Sequence, residues 1–189
     1  MRLSRVSSYI AISLPLLFFL SLAFVIAHNP WFSLQNNALS DMGSMKNPNR
    51  CYFNCFLMGF SILALIPAYT AYRGGLSYLM PPALVFLFLV GLFPEELPYH
   101  TPSAVLFYVL AMSDIAIVGL KLARRGFETG YLWFILSPLT FIAMIAMVAL
   151  RLFRGLAIPE LVGATFILSW FVWLSPLLSG DLASKKLIN

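Results

Sequence analysis

Four of the seven carboxylates in this chain, Asp41, Glu95, Glu96 and Glu160, stand where long apolar runs end rather than inside them. In "GLFPEELPYHTP" two of them share a short segment with His100, one of only two histidines. A carboxylate near an imidazole can fix the ring's tautomer, help to hold a metal ion, or work with the ring as an acid–base pair. Pro94, Pro98 and Pro102 forbid a continuous helix there, so the Glu96–His100 spacing is not a helical one. Asp41 belongs to a second polar segment, "NPWFSLQNNALSDMGS", where Asn37, Ser40, Asp41 and Ser44 are related by the three-and-four spacing of one helix face. In "NRCYFNCF", Arg50 and Asn54 stand four apart. In "RLFRGLAIPEL", Arg151 and Arg154 stand three apart and Glu160 follows Pro159. The two arginines suit a clamp for phosphate or carboxylate, or a place at a membrane interface with their heads in water. Glu160 suits a polar site, or the positive end of a helix that begins at Pro159.

The elements that must position these groups follow from composition. Of 189 residues, 61% are hydrophobic and 10% charged, against about 25% charged in a soluble domain. So much apolar surface has no room inside a globule of this size, and lipid must be the solvent. A crossing helix needs about 20 apolar residues. Six segments qualify: Tyr9–Ala27, Tyr52–Tyr72, Leu76–Phe93, Pro102–Leu122, Tyr131–Leu150 and Ile158–Leu178. The third contains Pro81 and Pro82, whose freed backbone groups a bundle can satisfy. The first resembles a signal peptide, but its apolar run is longer than usual, which favours an uncleaved helix. The expected fold is all-α: one domain over residues 1–189, an integral membrane bundle of six transmembrane helices.

Basic residues orient the bundle. With the N-terminus inside, Arg2, Arg5, Arg73, Lys121, Arg124, Arg125, Lys185 and Lys186 lie in the cytoplasm, and Lys46, Arg50, Arg151 and Arg154 outside. Eight against four puts both termini in the cytoplasm of a multi-pass cell-membrane protein. The same scatter lacks the basic stripe of a nucleic-acid binder, despite a net charge of +5. On this topology Asp41, Asn54, Glu95, His100 and Glu160 come from four chain segments to one membrane depth. The first outer loop is expected to hold a short extracytoplasmic helix or re-entrant segment, capped by Ser33 and ended by Gly43, with Trp31 as an interfacial anchor.

Asp114 stands apart, about 18 Å along the fourth helix from Pro102. A carboxylate at such depth is costly and suggests either a proton carrier or an acid bonded to a neighbouring helix. Cys51 and Cys55 lie four apart on one helix, a poor geometry for a disulfide, and are expected to be packing residues.

"NPWFSLQNNALSDMG", "FNCFLMGFSIL" and "GLFPEELPYHTPSA", in that order, resemble the prokaryotic small membrane proteins catalogued as domain of unknown function 998. The resemblance runs through nearly all six spans. The family's characteristic positions correspond to Asn36, Ser40, Asp41, Gly43, Asn54, Gly91, Pro94, Glu95 and His100. It implies a polytopic fold and the same outer cluster, and no activity. Membrane hydrolases similar to alkaline ceramidases bind zinc through three histidines, which a chain with only His28 and His100 cannot supply. A divalent metal on His100, Glu95 and Asp41 is the mixed-ligand alternative.

Three functions meet these expectations. In the first, an outward-facing pocket binds or hydrolyses a lipid headgroup or another small amphiphile. Asp41, Glu95 and His100 do the chemistry there, and Asn37, Ser40, Asn54, Arg151, Arg154 and Glu160 hold the ligand. The second is a proton- or cation-linked transporter or channel using Asp114. The third is a membrane scaffold without catalysis. The oligomeric state is not legible.

Overall fold

With no water in a bilayer to satisfy backbone groups, apolar runs must close their hydrogen bonds internally, and here they do so as helices. The structure, a computed structural model, describes residues 2–179. It contains α1 (Arg2–Ala27), α2 (Arg50–Arg73), α3 (Met80–Leu92), α4 (His100–Ala123), α5 (Thr129–Ala149) and α6 (Ala157–Leu178), with no strand among the described residues. Lys185 and Lys186, which entered the orientation count, lie outside the described residues.

Five of these helices, all but α3, are long and apolar enough to cross a membrane. The third expected span narrows to 13 residues. At 1.5 Å per residue that is about 20 Å, short of a hydrocarbon core of about 30 Å. Pro81 and Pro82 fall in its first turn, where a missing N–H removes no helical bond. They start the helix rather than break it.

Each helix packs on the next in sequence, and α6 returns to α1, so the six close a ring. α6 also leans inward against α2 and α4. Its Trp170 and Leu174 are buried, as are Leu14, Met80 and Ile115 from α1, α3 and α4. The outer surface is as apolar as the core: Leu20 is 61% exposed and Leu139 53%. Such a belt fits a helix bundle immersed in lipid. Where α4 meets α5 the backbones nearly touch, because a Cβ on Gly130 would stand 2.6 Å from the Ala123 nitrogen. Cys51 and Cys55 are unpaired as expected, but both are exposed on α2 and fill no interior space.

The connections 28–49, 93–99 and 150–156 gather at one end of the ring, and those at 74–79 and 124–128 at the other. In the longest, the expected helix contracts to a 3₁₀ turn, Leu39–Gly43. Ser33 caps no helix. Its N–H instead donates to Asn37 Oδ1 at 3.0 Å. Gly43 does end the turn. The density of amides in this loop has a local cause, since a chain without regular structure must satisfy its backbone through side chains. Asn47 Nδ2 donates to Asn29 Oδ1 (2.8 Å) and to the Met42 carbonyl (2.6 Å). Asn49 Nδ2 donates to the His28 carbonyl at 2.6 Å.

Candidate functional site

The 3₁₀ turn lies across one end of the ring as a lid, held by its own Asp41 and by carboxylates from two other places. Asp41 Oδ2 accepts from Asn37 Nδ2 (3.0 Å) and the Ala38 N–H (3.1 Å), fixing the turn's first residues. Glu160, in the first turn of α6, accepts the Leu39 N–H through Oε2 at 2.7 Å. Glu96 accepts from the Ser44 hydroxyl at 2.5 Å and from the Met45 N–H at 3.0 Å. The α5–α6 connection completes the anchoring: Arg154 and Gly155 N–H groups donate to the Gln35 carbonyl, and Ala157 N–H to that of Asn37, all at 3.0 Å. A side chain at Gly155 would collide with the Asn37 backbone, so this seam requires glycine.

Beneath the lid are two adjoining spaces. The inner one is an apolar chamber of about 80 Å³ on the ring axis, walled by α1, α2, α3, α4 and α6. Phe18, Phe56 and Phe60 meet around it with ring centroids 5.4–6.0 Å apart. The outer one is an open groove of about 770 Å³, the size of a small-molecule site. Asp41, Glu95, Glu96, His100 and Glu160 give it a polar upper wall, and Phe141, Ile145 and Val148 of α5 give it an apolar flank. Ile145 and Val148 are exposed on the outer surface, so the groove opens sideways as well as endwise. Ser40, His100, Ala104, Tyr108 and Glu160 line both spaces and form the throat between them.

His100 is 93% buried in that throat, being 7% exposed. Its Nδ1 lies 2.7 Å from the Phe93 carbonyl. A carbonyl only accepts, so Nδ1 carries the proton of that hydrogen bond and Nε2 is the ring nitrogen left over. Among the described residues Nε2 has no hydrogen-bond partner. The proline-broken segment therefore does its work: it turns at Pro94 and again at Leu97, bringing Glu95 and His100 to the same groove from outside one helix.

The carboxylates are unequal. Partial burial, then the hydrogen bond and negative charge of Asp41 and the charge of Glu96, raise the Glu95 pKa to about 7. Glu96 goes the other way, to about 2, because the Ser44 hydroxyl and the Met45 N–H stabilise its charged form. Near neutrality Glu96 is ionised while Glu95 is protonated for part of the time.

Other expected ligands lie elsewhere. Asn54 is spent on structure, its Nδ2 donating to the Gly43 carbonyl at 3.2 Å. Gly91 of α3 packs against the same turn of α2, where a Cβ would stand 2.9 Å from the Asn54 carbonyl oxygen. Asn37 holds the lid and does not line the groove. Arg151 and Arg154 are exposed on the α5–α6 connection, away from the groove lining, and form no clamp there. Arg151 ends α5 with φ of 51°, a left-handed conformation. No three His, Cys, Asp or Glu side chains among the described residues are grouped to hold a metal ion. With Nδ1 taken by a carbonyl and Glu95 turned to Asp41, the expected His100, Glu95 and Asp41 ligand set is not assembled.

Asp114 is buried at the opposite end. From His100 it is about 21 Å along α4. It accepts from the Ser77 hydroxyl (2.9 Å) and from the Tyr78 and Leu79 N–H groups (2.5 and 2.6 Å). These belong to the connection that enters α3, so Asp114 caps that helix from its neighbour. The hydroxyl partner is Ser77, not the adjacent Ser113.

Sequence reasoning missed Tyr108 and Ala104 as site residues. Their signal was present: once α4 starts at His100, positions 100, 104 and 108 fall on one face. The pinning role of Glu96 had no signal, because its partners lie 51 and 52 residues away.

The profile of the family described as "Protein of unknown function (DUF998)" matches residues 12–176. No curated protein and no solved structure matches the chain. The match covers nearly the whole helical ring, and the chain belongs to that family.

Proposed function

We propose that this member of the family binds a single-chain membrane amphiphile, its head among the lid carboxylates and its chain directed past Ala104 into the axial chamber. The observation that carries this reading is the adjacency of a polar-walled groove and an apolar interior space that share Ser40, His100, Ala104, Tyr108 and Glu160 as lining. Along α6 the lining runs from Glu160 to Phe171. That is about 16 Å of depth. The sideways opening beside Ile145 and Val148 lets a lipid leave the bilayer without crossing water.

In this reading Asp41, Glu95 and His100 contact the head, and the free Nε2 of His100 accepts a hydrogen bond from it. By the excess of basic residues on the other side, the lid faces away from the cytoplasm and α3 completes a six-helix, even-numbered crossing. A purely structural role would account for the lid's hydrogen bonds but not for the groove beneath it. Transport through Asp114 is less well supported, since that carboxylate is engaged by three donors that set the start of α3.

Ala104→Trp tests the reading, because it fills the throat from a partly buried position on α4. Native mass spectrometry from detergent should find one single-chain lipid retained by the wild-type protein and none by the folded variant. Equal retention by both would refute the interior site.

A further inference from the structure

The polar wall of the groove also says which kind of head it takes. Four carboxylates, Asp41, Glu95, Glu96 and Glu160, line it, and no lysine or arginine does. A basic residue is near, Lys46, but it lies in the adjoining hollow outside the lid, beside Asp41, Ser44 and Glu95. The carboxylates are not there as lid pins alone. Glu96 is fully engaged by Ser44 and Met45, and Asp41 and Glu160 each use one oxygen on the lid's backbone. Glu95 bonds no backbone group and turns to Asp41 instead. An independent observation points the same way: His100 is more than nine-tenths buried at the throat and offers an unpartnered ring nitrogen, Nε2. Ser40 and Thr101 add hydroxyls to the lining, and the other groups left over are carboxylate oxygens and His100 Nε2.

Such a wall repels a phosphate or carboxylate head and offers it no lysine or arginine. It matches a head that is cationic and rich in N–H donors. We infer that the ligand is a long-chain amphiphile with a protonated primary amine, its three N–H bonds directed to Glu95, Asp41 and His100 Nε2. This rests on the amphiphile-binding reading above and narrows it to a class. The raised Glu95 pKa agrees, since a cation placed beside Glu95 offsets the burial and the Asp41 and Glu96 charges that raise it.

The test uses the full-length protein in detergent micelles and competition against a photoreactive alkyl probe, with dodecylamine, dodecanol and dodecyl phosphate as competitors of equal chain length. Dodecylamine should compete at a concentration at least about tenfold lower than dodecanol, and dodecyl phosphate should be the weakest, as expected for one charge-assisted contact. Glu95→Gln should bring dodecylamine down to the level of dodecanol, the ratio between the two being the readout. Asp41→Asn, which keeps an acceptor for Asn37 and Ala38, should do the same and guards against a folding defect in the first variant. Equal competition by all three chains would overturn the amine assignment and leave the binding site standing. Preference for the phosphate, or a Glu95→Gln protein with wild-type preference, would also overturn the assignment. If the probe labels no interior residue at all, the binding reading itself falls.

Discussion

Glu95 is the residue whose charge state the fold controls most visibly outside the membrane-spanning segments. Its folded pKa is raised from 4.5 to about 7, so the folded state holds the proton more tightly than the unfolded chain does. The stability this contributes is fully present below about pH 4.5 and is lost as pH rises through 7. Thermal melting in detergent should therefore fall between pH 5 and 8, and Glu95→Gln should flatten that part of the profile. An unchanged slope in the variant would mean that the fold does not raise the Glu95 pKa. Glu96 acts in a separate window: its depressed pKa gives stability above about 4.5 that disappears only as pH falls towards 2. That Asp41, Glu95, His100 and Glu160 share a site was legible, because their segments had to meet at one end of an alternating bundle. Their inequality was not, because it depends on Ser44 reaching Glu96 and on Asp41 facing Glu95, contacts that no spacing encodes.

At the scale of elements, the account turns on two pieces that position others: the lid and the start of α3. The lid docks where Gly155 has no side chain, and Gly155→Ala would drive a methyl group into the Asn37 backbone. Overpacking of this kind costs about 1–3 kcal/mol. The variant should unfold earlier by that amount, and limited proteolysis should cut it first between Ser33 and Ser44. Wild-type resistance would show that the seam is not what holds the lid. At the other end, Asp114→Ala would leave two backbone N–H groups and a hydroxyl without an acceptor. A loss of about 3 kcal/mol is expected from buried donors left unpaired. Asp114→Asn keeps one oxygen for the two N–H groups and should lose less. If Asp114→Asn instead keeps full stability and alters proton flux in vesicles, the residue belongs to a transport path. The positions of five long helices followed directly from apolar run length. α3 did not, because its end is set by Asp114, which turns residues 76–79 away from the helix, and by two prolines that fit a first turn as well as a break.

For the whole molecule, the telling feature is a ring of helices whose axis is neither packed solid nor open to water at both ends. Large apolar content predicted the bundle, since lipid was the only solvent that could receive such a surface. It could not predict the chamber, because Phe18, Phe53 and Phe107 look the same in a sequence whether they fill a core or line a space within it. In the proposed function the chamber is the place for a hydrocarbon chain whose head meets the lid. The most direct test is to map where a single-chain amphiphile with an alkyl diazirine goes. After photolysis in detergent or nanodiscs, peptide mass spectrometry should find label on interior positions such as Leu57, Leu87 and Phe107, and it should disappear in Ala104→Trp. Label confined to the lipid-facing surface, on residues such as Leu20 and Leu139, would contradict the account.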